Sequence, residues 1–197
     1  EFRRVLFRSN GSDELILMLM LAFVNSGDEI LTSEHTFSEY DFSAKVMGGV
    51  LKTVPMQHWC YHLDGFLSRV TERTKLIFIA NPNNPTGTFV TKTDLSLFMN
   101  KLPKDVIVVM DEAYFEYVDH RDYPESIPLI NAYPNLVVLR TFSKCYGLAG
   151  FRIGYGVGHA HLMRYVKKVR LPFNINSLAL VAAALALKNQ DFVLTKL

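Results

Sequence analysis

At 197 residues, with 21 Lys and Arg against 19 Asp and Glu, the chain has the length of one ordinary-to-large domain and a net charge of only +2. Its 49% hydrophobic and 20% charged residues exclude a disordered chain, and the mixed charge pattern excludes an electrostatic nucleic-acid surface. Two cysteines, Cys60 and Cys145, exclude a disulfide framework and a zinc cluster and fit a reduced, cytoplasmic setting.

Residues 1–9 (EFRRVLFRS) carry a basic cluster, no initiator methionine and no signal-peptide stretch. They read as a non-native or truncated start and are given no place in the fold. Residues 12–25 read as a helix closed by Ser26-Gly27. Its apolar run of ten residues, 15–24, falls well short of the roughly 20 that span a membrane, and reads as a helix buried on all sides. A short strand is expected at 29–31, a helix at 38–47 ended by Gly48-Gly49, and a strand at 50–54 stopped by Pro55. A helix follows at 63–73. The runs LIFIA (76–80), VIVVM (106–110) and LVVL (136–139) are almost continuously apolar, as in parallel strands covered on both faces. Helices at 91–101 and 124–133 separate them. A strand at 151–157 and helices at 161–169 and 177–189 complete the series, the last rich in alanine.

This alternation predicts an α/β fold: a three-layer α/β/α sandwich with a mostly parallel sheet. The final residues read as helix without a stop signal, so both ends of the chain read as cut. Residues 10–197 are expected to form one domain.

In such sheets ligands bind beyond the carboxyl ends of the strands, and here those ends are chemically specific. LIFIA runs into Asn81-Pro82-Asn83-Asn84-Pro85-Thr86-Gly87. VIVVM runs into Asp111-Glu112-Ala113-Tyr114, and LVVL into Arg140-Thr141-Phe142-Ser143-Lys144, with Arg152 eight residues later. Singly, each has a bland reading: the acid as a cap, the lysine as a solvated charge, NPNNPTG as a rigid turn. Together, in this order, they point to a site.

The segments NGSDE, NPNNPTG, VVMDEAYFEY and RTFSKCYGLAGFRIGYGVG closely resemble those of the fold-type I (class I and II) aminotransferases, which use pyridoxal 5′-phosphate. The resemblance runs from Asn10 to the C-terminus. More narrowly, with VRLPFNINSLA, the chain is similar to the histidinol-phosphate aminotransferases. That resemblance implies residues 10–197 as the cofactor-binding large domain, with the family's N-terminal arm and C-terminal small domain outside it. It implies transamination of histidinol phosphate with 2-oxoglutarate to imidazole acetol phosphate and glutamate, in a homodimer.

It also implies roles. Lys144 is the amine for the cofactor's aldehyde and the base that moves the substrate proton. Asp111 holds the ring nitrogen protonated, and Asn84 and Tyr114 hydrogen-bond the ring's phenolic oxygen. The phosphate falls to the backbone of Ser12 and Asp13 at a helix start, to the hydroxyls of Thr141 and Ser143, and to Arg152. Phe37 takes the place of a tyrosine that stacks on the cofactor's face. Glu112 is read as structural. Tyr40, Tyr146 and Tyr155 are read as core or rim aromatics, Cys145 as packing, and no histidine spacing suggests a metal.

Rival classes lack their signatures. VIVVMDEA looks like the acidic strand of an ATPase, but no glycine-rich loop ending in Gly-Lys-Ser/Thr is present. Gly154, Gly156 and Gly158 are wrongly spaced for a dinucleotide fingerprint. An aromatic-amino-acid aminotransferase, a decarboxylase of phosphorylated amino acids and a non-catalytic cofactor-binding fragment remain alternatives.

Overall fold

A computed structural model describes residues 4–189 together with Asp191, Val193 and Thr195. Residues 1–3, 190, 192, 194, 196 and 197 of the ranges expected above lie outside the described residues. The strands are β1 (Arg4–Ser9), β2 (Glu29–Ser33), β3 (Val50–Val54), β4 (Thr74–Ala80), β5 (Ile107–Asp111), β6 (Leu136–Thr141) and β7 (Gly154–His159). The helices are α1 (Gly11–Phe23), α2 (Glu39–Val46), α3 (Leu63–Leu67), α4 (Lys92–Lys101), α5 (Ser126–Leu129), α6 (Ala160–Lys168) and α7 (Ser177–Lys188). One seven-stranded sheet runs in the order β1-β7-β6-β5-β4-β2-β3. The pairings from β3 across to β6 are parallel, and those of β7 with β6 and with β1 are antiparallel. The expected α/β, mostly parallel architecture is therefore present.

Burial explains why the central strands lack polar alternation. Leu76, Phe78, Ile107, Val109, Val137 and Leu139 join one core with Leu15, Ile16 and Leu19 of α1 and Met163 and Val166 of α6. Their neighbours Ile77, Ile79, Val108, Met110, Leu136 and Val138 join a second core with Leu95, Phe98 and Met99 of α4. Successive strand residues point to opposite faces, so a sheet covered twice needs apolar residues at every position.

Five local expectations are corrected. Residues 4–9, left out of the fold above, form edge strand β1 in register with β7, from Arg4 opposite His159 to Ser9 opposite Gly154. The 63–73 helix stops at Leu67. Beyond it Thr71 and Thr74 bond each other's backbone, and the Thr71 hydroxyl donates to Glu29 at 2.7 Å, which competes with helical bonding. The 124–133 helix shrinks to four residues, since Pro128 lacks an N–H and Pro134 restricts Tyr133. Strand β7 starts at Gly154, because residues 149–151 make a 3-10 turn and Arg152 adopts a left-handed conformation with φ +55°. Arg152 thus lies before the strand, not within it. Helix α1 ends at Phe23, where the Asp28 carboxylate takes the Asn25 N–H, and Leu21 is 44% exposed, so its burial is not complete all round.

Glycine sets how closely β7 approaches α1. A Cβ on Gly154 would lie 2.7 Å from the Ser12 nitrogen, 2.8 Å from the Gly11 carbonyl carbon and 2.9 Å from the Arg140 oxygen, all backbone atoms that cannot swing aside. Gly154→Ala is expected to cost about 1–3 kcal/mol in urea unfolding. Gly150→Ala, whose added carbon meets nothing within 4 Å, is expected to stay within about 0.5 kcal/mol of wild type.

Candidate active site

The carboxyl ends of β2, β4, β5 and β6 and the start of α1 surround one hollow. Its lining contains all ten residues singled out from the sequence: Ser12, Asp13, Phe37, Asn84, Asp111, Tyr114, Thr141, Ser143, Lys144 and Arg152, joined by Ala80, Pro82 and Ala113. Strand register does much of this. Ala80 lies opposite Asp111, and Asp111 opposite Leu139, so β4 and β5 end at one level and β6 runs two residues further, to Thr141.

Asp111, the last residue of β5, is buried. Its Oδ2 accepts a 2.9 Å hydrogen bond from the Tyr40 phenol, whereas Oδ1 has no hydrogen-bond partner. Burial pushes the carboxyl up to about 6, against the opposing pull of the Tyr40 hydrogen bond, the Ala113 N–H and the Lys144 amine. Sequence reasoning placed Tyr40 among the core or rim aromatics. It is in the core, 0% exposed, and is also Asp111's direct partner. Its spacing was the available signal: Tyr40 follows Phe37 by three residues, across the first turn of α2, and the two rings meet edge to face at 5.8 Å.

Lys144 lies in the turn after β6, which is closed by the Gly147 N–H to the Lys144 carbonyl at 2.9 Å. Its amine sits 5.3 Å from the centre of the Tyr114 ring and makes no hydrogen bond or ion pair recorded among the described residues. Cys145 beside it is buried, and burial pushes its thiol up, in keeping with a packing role.

The opposite end is built for an anion. Helix α1 begins at Gly11, whose φ of +79° brings its backbone against Arg152; a Cβ there would lie 2.6 Å from Nη2. No side chain caps the helix start, so first-turn N–H groups stay free as donors. Arg152 donates to Ser143 Oγ at 3.5 Å and pairs with the Asp13 carboxylate at 2.9 Å. Both partners are nearly half exposed, so the pair is screened and contributes little to stability. The Thr141 hydroxyl already accepts the Ser143 N–H at 3.1 Å and donates to the Ile153 carbonyl at 3.5 Å, so it shapes the turn as well as lining the hollow.

Two further groups hold the walls. Asn83 donates to the His35 carbonyl and to Thr86 Oγ1, both at 2.9 Å, and accepts from Thr36 at 2.8 Å. The turn bearing Phe37 is thereby tied to the turn bearing Asn84. Sequence reasoning passed over Asn83, whose signal was its place in NPNNPTG. Glu112 is fully buried and accepts two bonds from Arg140, at 2.8 and 2.9 Å, while Arg140 stacks 3.3 Å over the Phe115 ring. This buried ion pair fits the structural reading of Glu112.

The residues suit pyridoxal phosphate. A buried carboxylate oxygen without a partner matches a protonated ring nitrogen, an unpaired amine matches an aldehyde, and a glycine-opened helix start beside an arginine matches a phosphate.

Comparison with known proteins points the same way. The family model for aminotransferase class I and II matches residues 3–197. The histidinol-phosphate aminotransferase of Brevibacillus brevis is 47% identical over 188 residues, covering 95% of this chain and 52% of that protein. That of Moorella thermoacetica is 48% identical over 185 residues, covering 93% of this chain and 48% of that protein. The crystal structure of histidinol-phosphate aminotransferase from Sinorhizobium meliloti in complex with pyridoxal-5′-phosphate superposes with a TM-score of 0.90 at 31% identity, covering 97% of this chain and 52% of that one. The chain thus spans about half the length of these relatives. Among the described residues no helix is long and apolar enough to cross a membrane.

The raised pKa of Asp111 has a consequence for stability. The folded chain keeps a proton up to about pH 6 that the unfolded chain releases near the ordinary carboxyl value of 3.8. Stability from that proton is full below the unfolded value and is lost as pH rises through 6. Asp111→Asn removes the loss, so the variant's stability relative to wild type is expected to rise by on the order of 1–3 kcal/mol from about pH 4.5 to about pH 7.5. Parallel urea-unfolding curves at the two pH values would contradict this.

Proposed function

The chain belongs to the class I and II aminotransferases, and on that footing we propose that it is the large, cofactor-binding domain of a cytoplasmic, homodimeric, pyridoxal 5′-phosphate-dependent enzyme. The reaction proposed is transfer of an amino group from histidinol phosphate to 2-oxoglutarate, giving imidazole acetol phosphate and glutamate. The observation that carries this reading is the pairing of two uncommitted groups on one hollow: the unpartnered Asp111 Oδ1 and the unpaired Lys144 amine. The choice of substrate rests on the names of relatives 47% and 48% identical to this chain.

When bound, pyridoxal phosphate supplies an aldehyde for amine exchange and a cationic ring that withdraws electrons from the substrate carbon. The chain's residues bind, orient and move protons. Ser12 and Asp13 offer backbone N–H groups, Thr141 and Ser143 offer hydroxyls, and Arg152 offers its guanidinium to the phosphate. Phe37 would cover one face of the ring, Asn84 and Tyr114 would hold the phenolic oxygen, and Asp111 would hold the ring nitrogen in its protonated form. Lys144 would supply the amine that the cofactor's aldehyde takes and the base that removes the proton from the substrate carbon.

Absorbance titration of the purified chain with pyridoxal phosphate tests the assignment. A visible band for wild type and none for Lys144→Ala is expected; equal spectra would remove Lys144 from its role. Arg152→Gln is expected to weaken pyridoxal phosphate about tenfold or more while leaving pyridoxal, which lacks the phosphate, within about twofold. Glutamate formation from 2-oxoglutarate tests the substrate pair, with histidinol phosphate expected to surpass phenylalanine as donor.

A further inference from the structure

We propose that Tyr40 is a positioning residue for the ring-nitrogen acid: its phenol occupies one oxygen of Asp111, so that only the other faces the cofactor, and it keeps that acid ionised. The proposal rests on the cofactor reading above and deepens it.

The geometry is specific. The phenol donates to Asp111 Oδ2 at 2.9 Å, and Oδ1 is left without a partner. Tyr40 is fully buried, so its hydroxyl has no water to turn to. Its ring cannot swing away, because it stacks on Phe78 with centroids 4.7 Å apart and planes 20° apart, while Phe37 abuts it edge on. Phe78 belongs to β4 and pairs with Val109 of β5, the strand that ends in Asp111. The start of α2 therefore delivers both the ring that lines the hollow, Phe37, and the hydroxyl that orients the acid.

The charged groups around Asp111 show why a donor is needed. Lys144 favours the carboxylate and Asp13 opposes it, while burial strongly favours the neutral acid. Burial raises the Tyr40 phenol well above its usual range, so it stays a donor at neutral pH. Without it, the buried carboxylate would lose its side-chain donor, and protonation would be the cheapest remedy. A neutral acid gives up its electrostatic hold on a cationic ring nitrogen.

The test compares affinities for pyridoxal phosphate and for its 1-deaza analogue, in which carbon replaces the ring nitrogen, near pH 7.5. Wild type is expected to favour the natural cofactor by about tenfold or more, and Tyr40→Phe to bring that ratio close to one. In an Asp111→Asn background the ratio is already lost, and adding Tyr40→Phe changes it no further. A purely structural role would lower both affinities together and leave the ratio intact, which overturns the proposal. An unchanged ratio with unchanged affinities overturns it equally. Wild type that binds neither compound sinks the cofactor reading and this proposal with it, whereas wild type that binds both but shows no Tyr40 effect sinks only the latter.

Discussion

Ala80, Asp111 and Leu139 lie side by side across three parallel strands, and the ladder continues one step past them. The Asn81 N–H donates to the Asp111 carbonyl at 2.8 Å, and the Glu112 N–H to the Leu139 carbonyl at 2.9 Å. Those two bonds fix the three strands in register, with the third running two residues further to Thr141, so an amide after the first, a carboxylate and phenol from the second and an amine after the third line the same space. A slip of one residue in any strand would turn its side chains to the opposite face and dismantle the hollow. The two apolar cores hold the register, since each strand residue has a layer it must face.

The site is costly in its own terms. It leaves a buried carboxylate oxygen, Asp111 Oδ1, without a partner and a non-glycine residue, Arg152, in a left-handed conformation. Both oppose folding, and a cationic ring nitrogen would relieve the first. Glu112 and Arg140 close the floor behind Asp111 as a buried pair, and Asn83 knits the Phe37 and Asn84 turns together.

How much of this was legible in the sequence depended on range. Helix α4 was located within a residue because Thr91 caps it through the Asp94 N–H at 3.2 Å, a purely local bond. The central strands were found from their apolar runs. Misjudged segments were those where side chains or prolines compete with the backbone, as at Thr71 and Pro128, or where a strand exists only through a distant partner, as with β1 against β7. At the site, the ten residues expected by resemblance line one hollow. Tyr40 and Asn83 escaped because their importance lies in what they touch.

The sequence by itself determined the alternation of helices and strands, the double coverage of the sheet and the chemical identity of the groups at the strand ends, because these follow from side-chain type and from periods of a few residues. Tertiary structure alone decided which of those groups meet. It paired Tyr40 with Asp111 across 71 positions and Asp13 with Arg152 across 139. It also decided which oxygen of Asp111 stays open. Such contacts arise from packing two layers of helices on one sheet, and no pattern local to the chain encodes them.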